Sequence, residues 1–344
     1  MDFKSVSLKK IILHYVGNKN NAEPLQFSKK ELQLPEETIA ILQDSLLAKF
    51  KTNHEYHSFH HPSSLQYNEV YNYCKEIFRA NKEFTNASQS IAEHLFKAST
   101  HPKVKGGEFY VAFFEGLPVE GRMHQAIGIF KTENKSFFIE VPPYKGNFSL
   151  QLKEGVEINK IDKGCLIIDR NEESGYDVVL HDAVSRGEEA TYWKETFLGV
   201  NPQKNDYHHT THLLNLTRQF ITGGLEEEAS KKEQVELLNR SLDYFKTKDS
   251  FDIEEFQKEV FEEEEIIQSF RKFGSHYVAT NDYDIAAGFD ISGDALKKGI
   301  RQYKSVLKLD KNFHIYIHGR TDLLEKGTED DGRKYYKIYY QQES

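Results

Sequence analysis

The stretch that decides the fold runs from Gly107 to Phe130 and reads GEFYVAFFEGLPVEGRMHQAIGIF. Residues 109–114 form an unbroken run of aromatic and aliphatic side chains, which is typical of a buried β-strand. Turn residues follow at 115–118, and a second apolar run occupies 125–130. Consecutive strands joined by a short turn pair antiparallel, so this stretch predicts the start of an antiparallel meander.

Other segments with strand character surround this stretch. Residues 6–16 predict a first strand, which Gly17-Asn18 ends. After Phe130, apolar runs predict that the meander continues as strands at 136–141, 158–161, 165–169 and 176–180. Near the C-terminus, 303–309 and 312–318 predict a hairpin across the two-residue turn Asp310-Lys311, and 334–340 predict a last strand.

Helical periodicity appears on both sides of the meander. Pro35-Glu36-Glu37 opens a helix in which proline suits the first turn and the acids complement the helix dipole. Two more helices are predicted at about 69–80 and 85–100, and another at 206–221. Two or three further helices are expected within 226–265, one of them opened by a capping-box pattern at Asp252-Ile253-Glu254-Glu255.

These elements predict an α+β protein. Helices and an antiparallel sheet come first, and a helical segment with a small C-terminal β-sheet follows. We expect an α+β domain with the meander at 1–200, and a helical segment followed by a basic β-hairpin region at 201–344. One intertwined domain is the alternative.

Composition excludes several classes of protein. The 344 residues are 38% hydrophobic and 13% aromatic, enough for a substantial core. The sequence has no apolar run of the ~20 residues that a membrane helix needs, and its start lacks the features of a signal peptide. Cys74 and Cys165 fit neither a disulfide framework nor a zinc site. A cytoplasmic protein without a membrane partner is therefore expected.

Charge is divided unevenly along the chain. The net charge is −9, and residues 226–265 account for all of it with fifteen acidic and six basic residues. Residues 295–320 contain seven Lys or Arg and one acid. Two solvated faces of opposite sign would explain this pattern. A binding surface for an anionic partner at 295–320 is the functional alternative.

The basic window is the strongest candidate for binding chemistry. In 312–318, Phe313, Ile315 and Ile317 alternate with His314, Tyr316 and His318, so we expect the apolar set to pack inward. Cations and a phenol on a hairpin suit a phosphate backbone and carry little sequence information. The predicted nucleic-acid contacts are Lys297, Lys298, Arg301, Lys304, Lys308, Lys311, Tyr316 and Arg320. A secondary phosphate contact is predicted at Lys103 and Lys105, where a turn leading into the strand is the alternative role.

Catalytic signatures are weak. His54, His57, His60 and His61 cluster, and His208, His209 and His212 form HHxxH, but the glutamate of HExxH is absent. Neither GxSxG nor a glycine-rich phosphate loop occurs. The sequence therefore predicts no catalytic residues, no metal and no cofactor. A metal-dependent hydrolase or nuclease, built from the histidines or from acids such as Glu157 and Asp169, is the third alternative.

The order of elements resembles the 37-kDa nucleoid-associated protein family of bacteria, the NdpA/YejK-like proteins. The resemblance is spread over most of the chain and is carried by four stretches. These are Ile11-Ile12-Leu13-His14, the Gly-Gly strand start in 105–111, the aromatic segment 192–199 with Phe220, and Phe273-Gly274 through 304–309 to 313–319.

The resemblance implies a cytoplasmic, nucleoid-associated bacterial protein that binds DNA and has no established catalysis. It supplies no catalytic motif, and its fourth stretch coincides with the basic window. The leading hypothesis is therefore nonspecific binding of double-stranded DNA by a homo-oligomer, with a dimer favoured. In the second hypothesis, the acidic segment 226–265 makes the chain an adaptor for other nucleoid proteins.

Overall fold

The computed structural model describes residues 3–51, 55–79, 83–182, 191–225, 229–281, 283–301, 303, 306–309, 311–317 and 323–342. The chain forms two compact units, Met1–Gln203 and Lys204–Ser344. Helices, a large antiparallel sheet and several small sheets make it a mixed α+β protein, as the sequence predicts. Within the described residues, no helix combines the length and the apolar character needed to cross a membrane.

The first unit contains the predicted sheet and helices. Its helices are α1 Glu36–Ala48, α2 Glu69–Arg79 and α3 Phe84–Ala98. Its strands are β1 Ser7–Val16, β2 Leu25–Gln26, β3 Tyr56–Phe59, β4 Gly107–Val119, β5 Arg122–Thr132, β6 Ser136–Glu140, β7 Pro143–Tyr144, β8 Asn147–Phe148, β9 Gln151–Gly155, β10 Lys163–Ile168, β11 Asp177–Asp182 and β12 Val200–Pro202.

One eight-stranded sheet organises this unit, with the order β12-β3-β11-β10-β5-β4-β1-β2. The deciding stretch supplies its centre, where β4 and β5 pair antiparallel with Val111 opposite Ile129. Every pair in this sheet is antiparallel. The prediction of an antiparallel meander that starts at 107–130 is therefore confirmed.

Two details of the predicted meander are wrong. The segment after β5 does not join the sheet, because β6 pairs with β9 and β10 lies beside β5, with Cys165 opposite Ile129. Residues 158–161 are not a strand. The Lys160 amide donates to the Glu157 carbonyl at 2.8 Å, which closes a turn before β10.

The two faces of the sheet bury separate cores. Ile127 and Ile129 pack on one face with α2, α3 and the π-helical segment Tyr192–Leu198, which contributes Trp193. Ala126 and Phe130 pack on the other face with Leu46, Leu47 and Phe50 at the end of α1. Burial on both faces explains why the central strands are continuously apolar and do not alternate with polar residues.

The second unit is mainly helical. Its helices are α4 Asp206–Gln219, α5 Lys231–Thr247, α6 Ile253–Phe261, α7 Glu264–Asn281 and α8 Gly293–Ile300. A π-helical turn, Phe220–Gly224, follows α4 at the predicted glycines. Aromatic rings fill the core, where Phe220, Phe256, Phe261 and Phe270 are buried against one another.

The predicted capping box is only half correct. Asp252 caps α6 by accepting from the amides of Glu254 and Glu255. The Glu255 carboxylate does not return to the cap, because it accepts from the Tyr244 hydroxyl at 2.8 Å. A complete capping box opens α5 instead, between Ser230 and Glu233.

Two-stranded antiparallel sheets complete the second unit. One pairs β13 Ser250–Asp252 with β14 Gly288–Asp290 across the two helices between them, and the others are the hairpins β15 Val306–Leu309 with β16 Phe313–Tyr316 and β17 Leu324–Thr328 with β18 Lys334–Ile338. Leu309 lies opposite Phe313, so three residues separate β15 from β16, and the predicted two-residue turn is wrong. The expected inward face is also wrong in part. Phe313 is 62% exposed, whereas Ile317 packs with Val235 and Leu324 in a small cluster.

Candidate nucleic-acid interface

Helix α8 presents three of the predicted cations. The Ser292 hydroxyl caps its start by accepting from the Ala295 amide. Gly299 approaches α4 so closely that a Cβ there would lie 2.6 Å from a methyl carbon of Leu214. Since Ala295 is buried and Gly299 faces α4, the exposed side chains of Lys297, Lys298 and Arg301 lie at the solvent side and the end of the helix.

The two lysines of α8 differ in how firmly they are held. Lys297 lies 3.6 Å from the Asp294 carboxylate in a largely exposed pair, which contributes little to stability. The Lys298 amine contacts the Tyr207 hydroxyl at 3.3 Å and lies 5.9 Å from the centre of that ring. Lys298 is thereby oriented by α4, while Lys297 is available to an anionic partner.

The hairpin β15–β16 supplies a second set of polar groups. Its register places Lys308 opposite His314. Lys311 and His314 are exposed, and Tyr316 is 59% exposed. The predicted contacts Lys304 and Arg320 lie outside the described residues, as does the side chain of Lys308.

Sequence reasoning missed the last hairpin, β17–β18, as a source of exposed basic and aromatic side chains. Lys337 lies 5.4 Å from the ring centre of Tyr339 and 3.4 Å from the Glu325 carboxylate. Tyr335 covers Gly327, where a Cβ would lie 2.2 Å from the ring. The signal in the sequence was the cluster of cations and tyrosines in Arg333-Lys334-Tyr335-Tyr336-Lys337.

Lys103 and Lys105, the predicted secondary contact, lie at a cavity of about 440 Å³ in the first unit. The Lys105 amine donates to the side-chain oxygen of Asn134 at 2.9 Å. The cavity wall also includes Lys163 and Tyr192. The two lysines therefore lie at the wall of a cavity that no short sequence motif predicts.

Two buried lysines lie next to this cavity, and both are paired. The Lys131 amine donates to the Lys105 carbonyl at 2.7 Å and lies 3.1 Å from the Glu133 carboxylate. Burial lowers the pKa of Lys131. Lys163 contacts both oxygens of Asp182 at 3.1 Å. These ion pairs balance the buried charge.

Among the residues that the structure describes, the histidine clusters are not arranged as metal sites. His212 stacks on Tyr283 at 4.3 Å between ring centres and lies 3.2 Å from the Tyr277 hydroxyl. Burial lowers the pKa of His209 and of His212. His57 is buried in β3, and His54 lies outside the described residues. Within the described ranges, no group of three His, Cys, Asp or Glu side chains is placed to hold a metal ion.

A cavity of about 390 Å³ in the first unit includes His60, His61 and His94. Both ring nitrogens of His94 already face acceptors, since one lies beside the Glu69 carboxylate and the other is 3.0 Å from the Phe197 carbonyl oxygen. His94 is therefore held in place by its neighbours and is not oriented toward a ligand.

The remaining catalytic candidates are not brought together. Glu157 precedes β10 and pairs with Lys160, whereas Asp169 follows the other end of the same strand. Burial raises the pKa of both thiols, Cys74 and Cys165. A buried, protonated thiol is a poor nucleophile.

The acidic segment forms the surface of α5, α6 and α7. Its lysine and arginine residues pair with part of its acids: Arg240 contacts Glu262 at 2.6 Å, and Lys248 contacts Glu255 at 2.7 Å. Glu264 and Glu265 are exposed in the first turn of α7, where carboxylates interact favourably with the helix dipole. Much of the acidic charge thus has a structural explanation.

The sequence matches a known protein family over most of its length. The family model described as "Nucleoid-associated protein YejK" matches residues 12–338 of the 344-residue chain. The match spans both units and includes every predicted contact of the basic window. A search of curated proteins finds no match.

Proposed function

Because the chain belongs to the nucleoid-associated protein YejK family, we propose that it binds double-stranded DNA directly, with little sequence preference and without catalysis. The family assignment supports a role in the nucleoid. Under this proposal, the chain contacts the phosphates of DNA directly and is located in the cytoplasm, at the nucleoid.

The observation that carries the proposal is the exposure of the cations in the basic window. Lys297, Lys298, Arg301 and Lys311 are all exposed, and one acid accompanies seven cations between residues 295 and 320. Exposed Lys and Arg side chains neutralise phosphates and release counterions, which supplies most of the free energy of nonspecific DNA binding. The chain is acidic overall, so its affinity for DNA depends on this local concentration of positive charge.

The neighbouring polar groups suit contact with the backbone and not with bases. The exposed side chains of His314 and Tyr316 provide hydrogen-bond donors on the same hairpin as Lys308 and Lys311. Sequence reading needs side chains held in fixed geometry against base edges in a groove. Surface lysines on flexible stems provide charge without such geometry, so we expect similar affinity for unrelated duplexes.

A site-directed test uses the triple variant K297A/R301A/K311A. Lys298 is kept, because its contact with Tyr207 supports the packing of α8 on α4. The matched control K19A/K29A/K30A removes the same formal charge from exposed lysines of the first unit. Each lost phosphate contact lowers the slope of log K against log salt by about 0.9, so the triple variant is expected to lose roughly 2–3 from that slope.

The control decides what the result means. Weaker binding with a smaller salt slope in K297A/R301A/K311A, and unchanged binding in the control, supports the proposed surface. An equal effect of both variants indicates that only net charge matters and contradicts the proposed site. Circular dichroism of both variants verifies that they are folded.

The adaptor hypothesis has one supporting observation of its own. Glu263, Glu264 and Glu265 form an exposed acidic group at the start of α7. If folded wild-type protein does not bind purified DNA at low salt, direct binding is wrong. The variant E263K/E264K/E265K should then abolish association with nucleoid extracts, whereas under direct binding it should strengthen DNA affinity.

A further inference from the structure

A two-stranded ribbon in the first unit has an apolar face that the described chain does not cover. The ribbon comprises residues 136–155, in which β6 pairs with β9 and β7 pairs with β8. Its tip is a tight turn at Lys145-Gly146, both with positive φ. That geometry matches the mirror-image turns that fit the twist of a hairpin.

The register sorts the ribbon side chains onto two faces. Residues opposite each other in an antiparallel pair point to the same side, as Ile139 and Leu152 do. Alternation along the strands then places six large apolar side chains on that side, each 52–77% exposed: Phe137, Ile139, Val141, Phe148, Leu150 and Leu152. The opposite face has Glu140 paired with Lys153, and two aromatic residues, Phe138 and Tyr144.

Exposed apolar surface of this size is typical of a site that binds a partner. None of the six side chains belongs to a buried cluster of the described chain. Scattered apolar residues on a surface are ordinary, but a contiguous patch marks an interaction site. An isolated two-stranded hairpin is also marginally stable in water, so the ribbon itself gains from being covered.

We propose that the apolar face of the ribbon packs against the same face of a second copy of this chain. Charge favours this occupant over nucleic acid or a charged protein. The ribbon has two lysines and two glutamates, and so no net charge. A DNA-binding arm needs cations for the phosphates, whereas the charged residue that the register places on this face is an acid, Glu154, opposite Phe137.

The exposed apolar area of the ribbon is also large enough for a stable dimer interface. Six such side chains expose roughly 700 Å² on each copy, or about 1,400 Å² over two copies, which lies within the range of specific protein interfaces. Two ribbons packed face to face would form a small two-layer sandwich with a spacing of about 10 Å. Such a contact closes with two-fold symmetry, the commonest arrangement for soluble oligomers.

The test is the mass of the full chain by sedimentation equilibrium over a concentration series. The variant I139K/L152E replaces a facing pair on the apolar side by opposite charges, which attract across the strands and preserve the ribbon. The control F138E places an acid opposite Lys153 on the other face. Wild type and F138E should be dimeric, and I139K/L152E should raise the dissociation constant about a hundredfold or more, because two charges would be buried in an apolar contact.

A cross-linking experiment keeps the proposal testable if the charged variant fails to fold. Both native cysteines, Cys74 and Cys165, are buried, so an added surface thiol is selectively oxidised. At least one of I139C, L150C and L152C should form a disulfide-linked dimer, and F138C should not. A monomeric wild type at all concentrations, or equal cross-linking from both faces, would overturn the proposal. A monomer would assign the face to another occupant, including another part of the same chain.

Discussion

Acidification from pH 7 to pH 4 is expected to destabilise the first unit through His14, which lies in β1, the strand next to the edge strand β2. The ring is buried between Phe27 and Phe109. Its Nδ1 accepts from the Ser28 amide at 3.1 Å, and its Nε2 lies 3.1 Å from the Ser88 hydroxyl oxygen. Because an amide donates to Nδ1, the native ring is neutral with its proton on Nε2, and a second proton would break the contact with Ser28.

The size of the expected loss of stability follows from the difference between the pKa of His14 in the folded and in the unfolded chain. Burial lowers the pKa of His14 from 6.5 to about 4. Below pH 6.5 the unfolded chain binds a proton that the folded chain does not, so stability falls as pH falls toward 4 and is unaffected by this group above pH 6.5. At about 1.36 kcal/mol per unit, the loss by pH 4 is about 3 kcal/mol.

The assay is urea unfolding at intervals between pH 7 and pH 4, for wild type and for His14→Asn. Asparagine places an oxygen near the position of Nδ1, so the Ser28 amide keeps an acceptor while the titrating group is removed. The variant is expected to be less stable at pH 7, because ring packing is lost. Its decrease in stability between pH 7 and pH 4 should be smaller than that of wild type by about 3 kcal/mol.

Carboxylates that titrate near pH 4 are the same in both proteins, so the difference between the two curves isolates His14. Parallel curves would refute the reasoning, since they would mean that the histidine has similar pKa values in the folded and unfolded chain. A larger decrease in the variant would also refute it.

Two further substitutions test how the first unit is held together. Lys131→Met removes the cation beside the buried Glu133 carboxylate, and we expect the free energy of unfolding in urea to fall by about 3–5 kcal/mol. Adding Glu133→Gln should recover part of this loss, because it removes the unpaired buried charge. If the double variant recovers no stability, the charge pair is not the cause of the loss. Asn68→Ala removes the oxygen that accepts from the Tyr71 amide at the start of α2 and the amide group that donates to the carbonyls of Leu198 and Gly199. We expect a loss of about 1–2 kcal/mol. Asn68→Ser should lose less, because its hydroxyl keeps an acceptor for the helix cap without placing a carboxylate against the carbonyls; equal losses for Asn68→Ala and Asn68→Ser would contradict a capping role.

Local sequence signals predicted those parts of the fold that depend on local physics. The apolar run in β4 and the turn residues after it are sufficient for a strand pair at the centre of the sheet. The boundaries of α2 and α3 fall within two residues of their predicted positions, because apolar periodicity marks them.

Strand partners were harder to predict, because alternation in a strand does not identify its neighbour. Residues 136–141 have the pattern of a strand in either arrangement. Pro142 and Pro143 lack amide donors and are poorly suited to a central position in a sheet, which is the physical reason that β6 turns away into the ribbon. Residues 158–161 combine two isoleucines, which favour a strand, with neighbours that favour a turn, and the segment forms the turn.

The candidate site was predicted by charge and not by geometry. Counting cations identified Lys297, Lys298 and Arg301, which the structure leaves exposed on α8. It could not foresee that Tyr207 orients Lys298, that Phe313 is exposed, or that Lys103 and Lys105 lie beside buried ion pairs. Those contacts join residues far apart in the sequence, and no local pattern encodes them.

The most direct test of the central claim is a titration of purified wild-type protein with two unrelated DNA duplexes across a salt series. If the basic window contacts about 4–6 phosphates, log K should fall by about 4–5 for each tenfold rise in salt, with the same slope and similar affinity for both duplexes. Absence of binding by the folded protein at low salt, affinity that does not change with salt, or strong preference for one duplex would contradict direct, nonspecific binding through phosphates.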